Sequence, residues 1–277
     1  MESTLATFKL GNSVCLITGG AGFLGEQHAR AILDGEGRVA LSDISKEALE
    51  NRVLALTQEY GPNKVYAYPF DITDERAVEE NVIKIEKEVG PIDILINNAA
   101  HNPQVTKDGV QGFDRFERFP LSSWNEDLAV NLTGPFLLSR NIGTRMAKRK
   151  KGVILNIASD FGIMAPDQRI YRKEGLADED QPVKPVTYSV TKHGIIGLTK
   201  YLSTYWPESG VRANTVSFGG VYKDQPEDFV KKIKERIPLG RMAKAEEYRA
   251  VVLFLCSDAS SYMTGANVVI DGGRTAW

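Results

Sequence analysis

A tyrosine and a lysine four residues apart, Tyr188 and Lys192, stand in the run Tyr-Ser-Val-Thr-Lys, which continues as HGIIGLTKYLSTYW. That continuation reads as helix, and on a helix positions i and i+4 share a face, so the Lys192 ammonium is expected beside the Tyr188 phenol. A free phenol has a pKa near ~10, too high for a base at neutral pH. A neighbouring cation favours the phenolate and lowers that value, which makes Tyr188 a candidate general acid/base. Spacing alone does not single the pair out. Tyr60 also has a lysine four residues on, Lys64, but Gly61-Pro62 intervenes and breaks any helix, so that pair is incidental. What sets Tyr188 apart is Ser159, which follows the apolar run GVILNIA and so puts a hydroxyl at the end of a strand.

A second constellation lies near the start of the chain. The apolar run SVCLIT leads directly into TGGAGFLG (Thr18–Gly25), and EQHARAIL follows as the start of a helix. Glycines at 19, 22 and 25, with Phe23 and Leu24 between the last two, let the backbone turn tightly. They bring it close to a pyrophosphate at the positive end of the helix. Asp43 ends the next apolar run (VALSD), about the ~20 residues downstream where an acid grips the ribose hydroxyls of a dinucleotide. No Arg or Lys follows immediately, and an acid there repels a 2′-phosphate, so the expected cofactor is NAD rather than NADP. Asp43 also stands where a carboxylate would cap a helix beginning near Ser45, and the two roles are compatible. Asn97, Asn98 and Ala99 follow the run IDILIN at a strand end, where ligands of α/β sheets bind.

These groups need elements to hold them. Strands are expected at Val14–Thr18, Arg38–Ser42, Val65–Pro69, Ile92–Asn97, Val153–Ala158, Arg212–Ser217 and Asn267–Ile270. Several are apolar without alternation, the pattern of strands covered on both faces. Helical runs separate them, such as Glu75–Glu88 after an Asp-Ile-Thr-Asp start signal. Strands alternating with helices predict an α/β fold, a doubly wound parallel sheet (Rossmann fold) with helices on both faces, as one domain over 1–277. The stretch 160–187 breaks the rhythm with charges and with Pro166, Pro182 and Pro185, and reads as a long loop beside the site. A net charge of -2 gives no reason to expect nucleic acid or an anionic membrane surface. No apolar stretch approaches the ~20 residues of a membrane helix, the first residues do not read as a secretory signal, and no Cys/His cluster has metal-ligand spacing. Cys15 and Cys256 lie in apolar runs and read as buried thiols. A cytoplasmic, reducing setting is expected.

Together these residues resemble the short-chain dehydrogenase/reductase family in its single-domain branch, over nearly the whole chain to the closing TGANVVIDGG (Thr264–Gly273). The resemblance implies that Ser159 hydrogen-bonds the reacting oxygen, Tyr188 exchanges a proton with it, and Lys192 holds the nicotinamide ribose. It implies that Asn131, in VNLTGPF, supports a water chain relaying protons from Lys192. Asp71 and Ile72 match the adenine-flanking pair, Asn97 to Ala99 line the cofactor, and Val221 reaches the carboxamide. Asn131 also reads as a helix-bending hydrogen-bonder and Asn97 as a tie between strands. The chain departs from the family pattern at Phe23 and Ala100, each where glycine is usual, and at Phe218 in place of proline. Its gap between serine and tyrosine is also longer than usual. That insert, with APDQRIY (Ala165–Tyr171), is similar to short-chain dehydrogenases of bacterial surface-sugar and flagellin-glycan pathways. A sugar, sugar phosphate or nucleotide sugar is the expected substrate. Arg169, Arg172 and Lys173 would engage a phosphate or carboxylate, or lie in a solvated flap with the acids around them. The apolar and aromatic positions of 124–146 and 188–206 imply a homodimer or homotetramer. Two other functions remain on the same residues: a sugar-nucleotide epimerase or dehydratase that recycles its NAD, and a non-catalytic NAD sensor or scaffold.

Overall fold

The computed structural model describes residues 3–103, 105–106, 109–110 and 115–277. Its elements run β1 (Val14–Thr18), α1 (Phe23–Asp34), β2 (Arg38–Asp43), α2 (Lys46–Tyr60), β3 (Val65–Pro69), α3 (Glu75–Glu88) and β4 (Ile92–Asn97). A small hairpin, β5 (Val105–Thr106) and β6 (Gly109–Val110), follows. Then come α4 (Leu121–Leu128), α5 (Gly134–Arg149), β7 (Gly152–Ser159), α6 (Val186–Tyr205), β8 (Val211–Phe218), α7 (Glu227–Lys234), α8 (Arg249–Cys256) and β9 (Asn267–Ile270). Each strand expected from the apolar runs forms, with β2, β7 and β8 extended by a residue or two at their ends.

Seven strands pair in parallel in the order β3-β2-β1-β4-β7-β8-β9. The chain starts in the middle with β1, winds outward to β3, then crosses back to β4 and winds the other way. The strand order therefore reverses between β1 and β4, and a crevice opens beyond their carboxyl ends. Successive side chains of a strand point to opposite faces. In β1, Cys15 and Ile17 join a core with Val39, Leu41, Ile32 of α1 and Leu255 of α8. Val14 and Leu16 join the opposite core with Ile85 of α3, Leu138 and Ile142 of α5, and Leu202 of α6. Burial on both faces is why these strands read as unbroken apolar runs. Cys15 and Cys256 are buried free thiols in the first core. Among the described residues no helix is long and apolar enough to cross a membrane.

Local signals set the boundaries. The Ser45 side chain accepts from the Ala48 N–H to cap α2, and Asp74 accepts from the N–H groups of Arg76 and Ala77 to cap α3. The 160–187 stretch folds on itself as short turns up to Pro185, and its last two residues open α6. The Gln181 side chain closes it, accepting from Lys173 N at 2.8 Å and donating to Lys173 O at 2.9 Å and Leu176 O at 2.8 Å. Ile170 and Tyr171 are buried against Phe229 of α7.

The turn between β1 and α1 holds the tightest backbone approach of any glycine described. A Cβ on Gly25 would collide with the carbonyl oxygen of Gly19. Gly25→Ala is therefore expected to cost about 1–3 kcal/mol by overpacking. That is a fall in Tm of about 2–4 °C per kcal/mol in a thermal melt, and a melt equal to wild type would contradict this packing.

Candidate active site

The crevice beyond β1 and β4 is a cleft of ≈ 420 Å³. Its lining brings together Gly19, Gly22, Phe23, Leu24, Gly25, Asp43, Asn98, Ala99, Ser159, Tyr188, Lys192 and Val221. On the glycine side, Gly19 takes φ +64, and a Cβ there would come within 2.9 Å of Ala99 Cα, so bare backbone faces bare backbone. Helix α1 starts from Gly22 with no side-chain cap, leaving its first N–H groups to a ligand. Asp43 ends β2 and stitches this turn together. Its Oδ2 accepts from Ala21 N at 3.2 Å and its Oδ1 from Ser45 N at 3.1 Å. The cap of α2 is Ser45, so Asp43 lines the cleft instead of capping. Asn98 closes the far side, its Nδ2 donating to Thr18 O at 2.9 Å. An uncapped helix start, a glycine cradle and a carboxylate one strand over suit the pyrophosphate and ribose of a dinucleotide.

The other half of the cleft is built by β7, α6 and the segment after β9. Ser159 Oγ donates to Asp160 Oδ1 at 2.7 Å and accepts from Phe161 N at 3.2 Å. Asp160 Oδ2 accepts from Arg274 Nη1 at 2.7 Å, and both side chains of this ion pair are 3% exposed. The Lys192 ammonium donates to Ile157 O at 2.9 Å and stands 5.7 Å from the centre of the Tyr188 ring. A second ammonium, that of Lys184, stands nearer the same ring, at 4.3 Å.

Electrostatics here correct one expectation. Lys192 shares a face with Tyr188, yet the phenol is not drawn down. Burial pushes it up to about 12; the hydrogen-bonding Ser159 hydroxyl opposes this and the Asp160 charge adds to it. The physical reason is desolvation, which penalises the phenolate more than its neighbours favour it. Burial likewise pushes Lys192 down to about 8. Lys184 goes down to about 7, again mainly by burial, with Lys192 adding and Asp160 and Asp127 opposing.

Other residues singled out by sequence lie elsewhere. Asn97 points away from the cleft, donating to Asn156 Oδ1 at 2.8 Å and Ser139 Oγ at 3.3 Å, the strand tie of the two readings. Ile72 is buried in the core beneath Gly134, and Asp71 accepts from Thr73 N and Oγ1 in the turn before α3. Asn131 sits in a π turn, Ala129–Thr133, between α4 and α5. Its amide accepts from His101 N at 2.7 Å and donates to His101 O at 3.0 Å and Thr191 Oγ1 at 3.3 Å, so it anchors the neighbour of Lys192. Arg169 and Arg172 turn to acids of the insert itself, Asp167 and Asp178, and are 78% and 59% exposed. Neither lines the cleft. The insert instead contributes Asp160, Tyr171 and Lys184, and the segment after β9 contributes Arg274. Sequence reading passed over these four. The one signal was adjacency, Asp160 next to Ser159 and Lys184 four residues before Tyr188.

Residues 13–171 match a family described as short chain dehydrogenase, and residues 176–275 one described as enoyl-(acyl carrier protein) reductase. The D-threitol dehydrogenase of Mycolicibacterium smegmatis is 33% identical over 97% of this chain and 95% of its own length. A 3-oxoacyl-(acyl-carrier-protein) reductase of Thermotoga maritima is 34% identical over 96% of this chain and 98% of its own. Among solved structures, a short chain dehydrogenase of Leptospira borgpetersenii with bound NAD+ is similar at TM-score 0.82. It is 32% identical and covers 99% of this chain and 97% of that one. A gluconate 5-dehydrogenase of Burkholderia cenocepacia in complex with NADP and tartrate is similar at TM-score 0.83. It is 25% identical and covers 99% of this chain and all of that one. The chain belongs to the short-chain dehydrogenase/reductase family and is an oxidoreductase of that family, which binds a nicotinamide cofactor.

The Asp160–Arg274 pair makes a test of the site's construction. Arg274→Met strands a buried carboxylate and is expected to cost about 3–5 kcal/mol, read by chemical denaturation. Adding Asp160→Asn to the same chain should recover most of that loss. A single variant as stable as wild type would mean that the pair does not carry its charges in this way.

Proposed function

We propose that this chain is an NAD-dependent dehydrogenase that moves a hydride between the cofactor and a secondary alcohol or ketone carbon of a polyhydroxylated, sugar-derived substrate. The observation that carries the reading is the convergence of Ser159, Tyr188 and Lys192 with the glycine turn on one cleft. The bound nicotinamide supplies the hydride chemistry. Tyr188 handles the proton of the substrate oxygen, taking it in alcohol oxidation and giving it in ketone reduction. Ser159, oriented by Asp160, hydrogen-bonds that oxygen, and Lys192 holds the nicotinamide ribose. Asn131 supports the relay behind Lys192 by anchoring Thr191. Glycines 19, 22 and 25 with Phe23 and Leu24 receive the pyrophosphate, and Asn98, Ala99 and Val221 line the nicotinamide side.

Asp43 supports NAD over NADP, because its carboxylate at the ribose end repels a 2′-phosphate. The similar structures were solved with both cofactors, so this choice rests on Asp43 itself. The likeness to a D-threitol dehydrogenase and to a gluconate 5-dehydrogenase supports a polyol or sugar acid as substrate. The chain is proposed to work as a homodimer or homotetramer, since α5 and α6 leave Phe136, Tyr201 and Tyr205 exposed.

Absorbance of NADH at about 340 nm, with NAD or NADP against a panel of polyols, sugar acids and sugar phosphates, reads the activity directly. Tyr188→Phe is expected to lose about 10²–10⁴-fold in kcat while NAD still binds by calorimetry. The base must be unprotonated to take the alcohol proton, so oxidation should rise with pH and ketone reduction fall, both limbs disappearing with Tyr188. Near-normal turnover in that variant ends this mechanism. Asp43→Asn keeps a hydrogen-bond acceptor and removes the charge. It should narrow the preference for NAD over NADP by about tenfold in kcat/KM, worth ~1.4 kcal/mol. An unchanged preference would remove Asp43 from the role.

A further inference from the structure

We propose that Lys223 binds the pyrophosphate of the dinucleotide, reaching it from the segment after β8 and held beside it by the ring of Phe23. This rests on the glycine turn receiving that pyrophosphate and deepens that reading. Phe23 stands where glycine is usual in the family pattern, so a large ring has been placed at the glycine turn. It opens α1 directly after Gly22, an N-cap that brings no side chain to the first N–H groups. The Lys223 ammonium lies over this ring, 5.1 Å from its centre. A cation is attracted to the negative face of an aromatic ring without using up its N–H donors, which remain for an anion. Phe23 and Lys223 both line the cleft, with Gly19, Gly22 and Leu24. Their contact therefore joins the glycine turn to the segment after β8 at the end of the cleft where the pyrophosphate is received.

The segment that carries Lys223 is built, not loose. Val221 forms a parallel β-bridge with Ala243, and Tyr222 N donates to Ala243 O at 2.9 Å. Gln225 ties the turn beyond. Its Oε1 accepts from Lys223 N at 2.7 Å and its Nε2 donates to Val221 O at 2.9 Å. Between them Asp224 takes φ +53, a left-handed conformation that a non-glycine residue keeps only where its surroundings impose it. The backbone at Lys223 is thus fixed, and the Phe23 ring gives its long side chain a resting place. N–H groups at a helix start answer a pyrophosphate with dipoles alone, and a lysine adds a compact full charge. Because an ammonium is a point charge and not a fork, it needs reach more than fixed orientation. Lys192 and Arg274 serve the other half of the cleft, at Ile157 O and Asp160, whereas Lys223 meets the glycine end.

The test is calorimetry of cofactor binding to the full chain, which needs no substrate and no turnover. The chains are wild type, Lys223→Met, Lys223→Arg, Phe23→Leu and the Phe23→Leu/Lys223→Met double variant. The titrants are NAD and ADP-ribose, which share the pyrophosphate. Lys223→Met should raise the Kd of both by about tenfold, and Lys223→Arg should return it to within a few-fold of wild type. The loss should shrink as salt is added, because the missing partner is a screened charge. Phe23→Leu should weaken NAD by about threefold alone and by nothing further in the Lys223→Met chain, the mark of two residues acting through one contact. Lys223 is exposed, so its variants should melt with wild type and the losses are losses of binding. Unchanged NAD affinity in Lys223→Met, a loss equal at every salt concentration, or additive losses from the two residues each overturn the proposal. A wild type that binds neither NAD nor NADP is a separate result, which ends the cofactor reading itself.

Discussion

Five charged side chains are fully buried among the described residues, Asp127, Asp160, Lys184, Lys192 and Arg274, and all five gather around the start of α6. Burying a charge is costly unless it is paired and hydrogen-bonded, so such groups are not distributed at random. Elsewhere the described interior is mostly apolar or joined by neutral hydrogen bonds, such as the Asn97–Asn156–Thr199–Thr215 chain between sheet and helix. The fold concentrates its electrostatic cost at one place, the rim where β7 hands over to α6. That rim exists because the sheet is parallel and covered on both faces, so its polar business can only be done at strand ends.

The acids and bases of this cluster do different work. Asp160 is held by Arg274 and in turn holds the Ser159 hydroxyl, so a residue far along the chain fixes the side chain nearest the chemistry. The turn from Asp271 to Thr275 is itself locked, the Asp271 carboxylate accepting from Gly273 N and Thr275 N at 2.8 Å each. Asp127 receives the Thr187 hydroxyl and the His101 ring, joining α4 to the start of α6 and to the segment after β4. Asn131 makes the parallel connection one turn later, through His101 and Thr191. The result is that both ends of the first turn of α6 are fixed from outside the helix, with Tyr188 between them.

The strands were legible because double burial writes itself as uninterrupted apolar runs, and Tyr188 with Lys192 because helical spacing is local. Period-two alternation within β4 also decides between neighbours. Asn97 shares the face of Leu95, toward α5, so it ties strands, while Asn98 beyond it turns to the cleft. The charges of the insert misled for a physical reason. Arg169 and Arg172 are satisfied within a few residues by Asp167 and Asp178, and such pairs in sequence look the same as free cations. Arg274 was illegible because its partner is 114 positions away and nothing local marks it. The pKa of Tyr188 was misjudged in sign because spacing reports the neighbouring cation and not the desolvation that outweighs it.

That last point bears on why the insert is there at all. A tyrosine set into a cleft gains strong electrostatic contacts but loses part of the water that would solvate its phenolate. Burial raises the phenol, and the Ser159 hydroxyl opposes it. The insert adds Phe161 and Tyr171 to the cleft wall and places Lys184 over the Tyr188 ring. Of the five charges buried among the described residues, two are negative and three positive, and they meet where β7 hands over to α6.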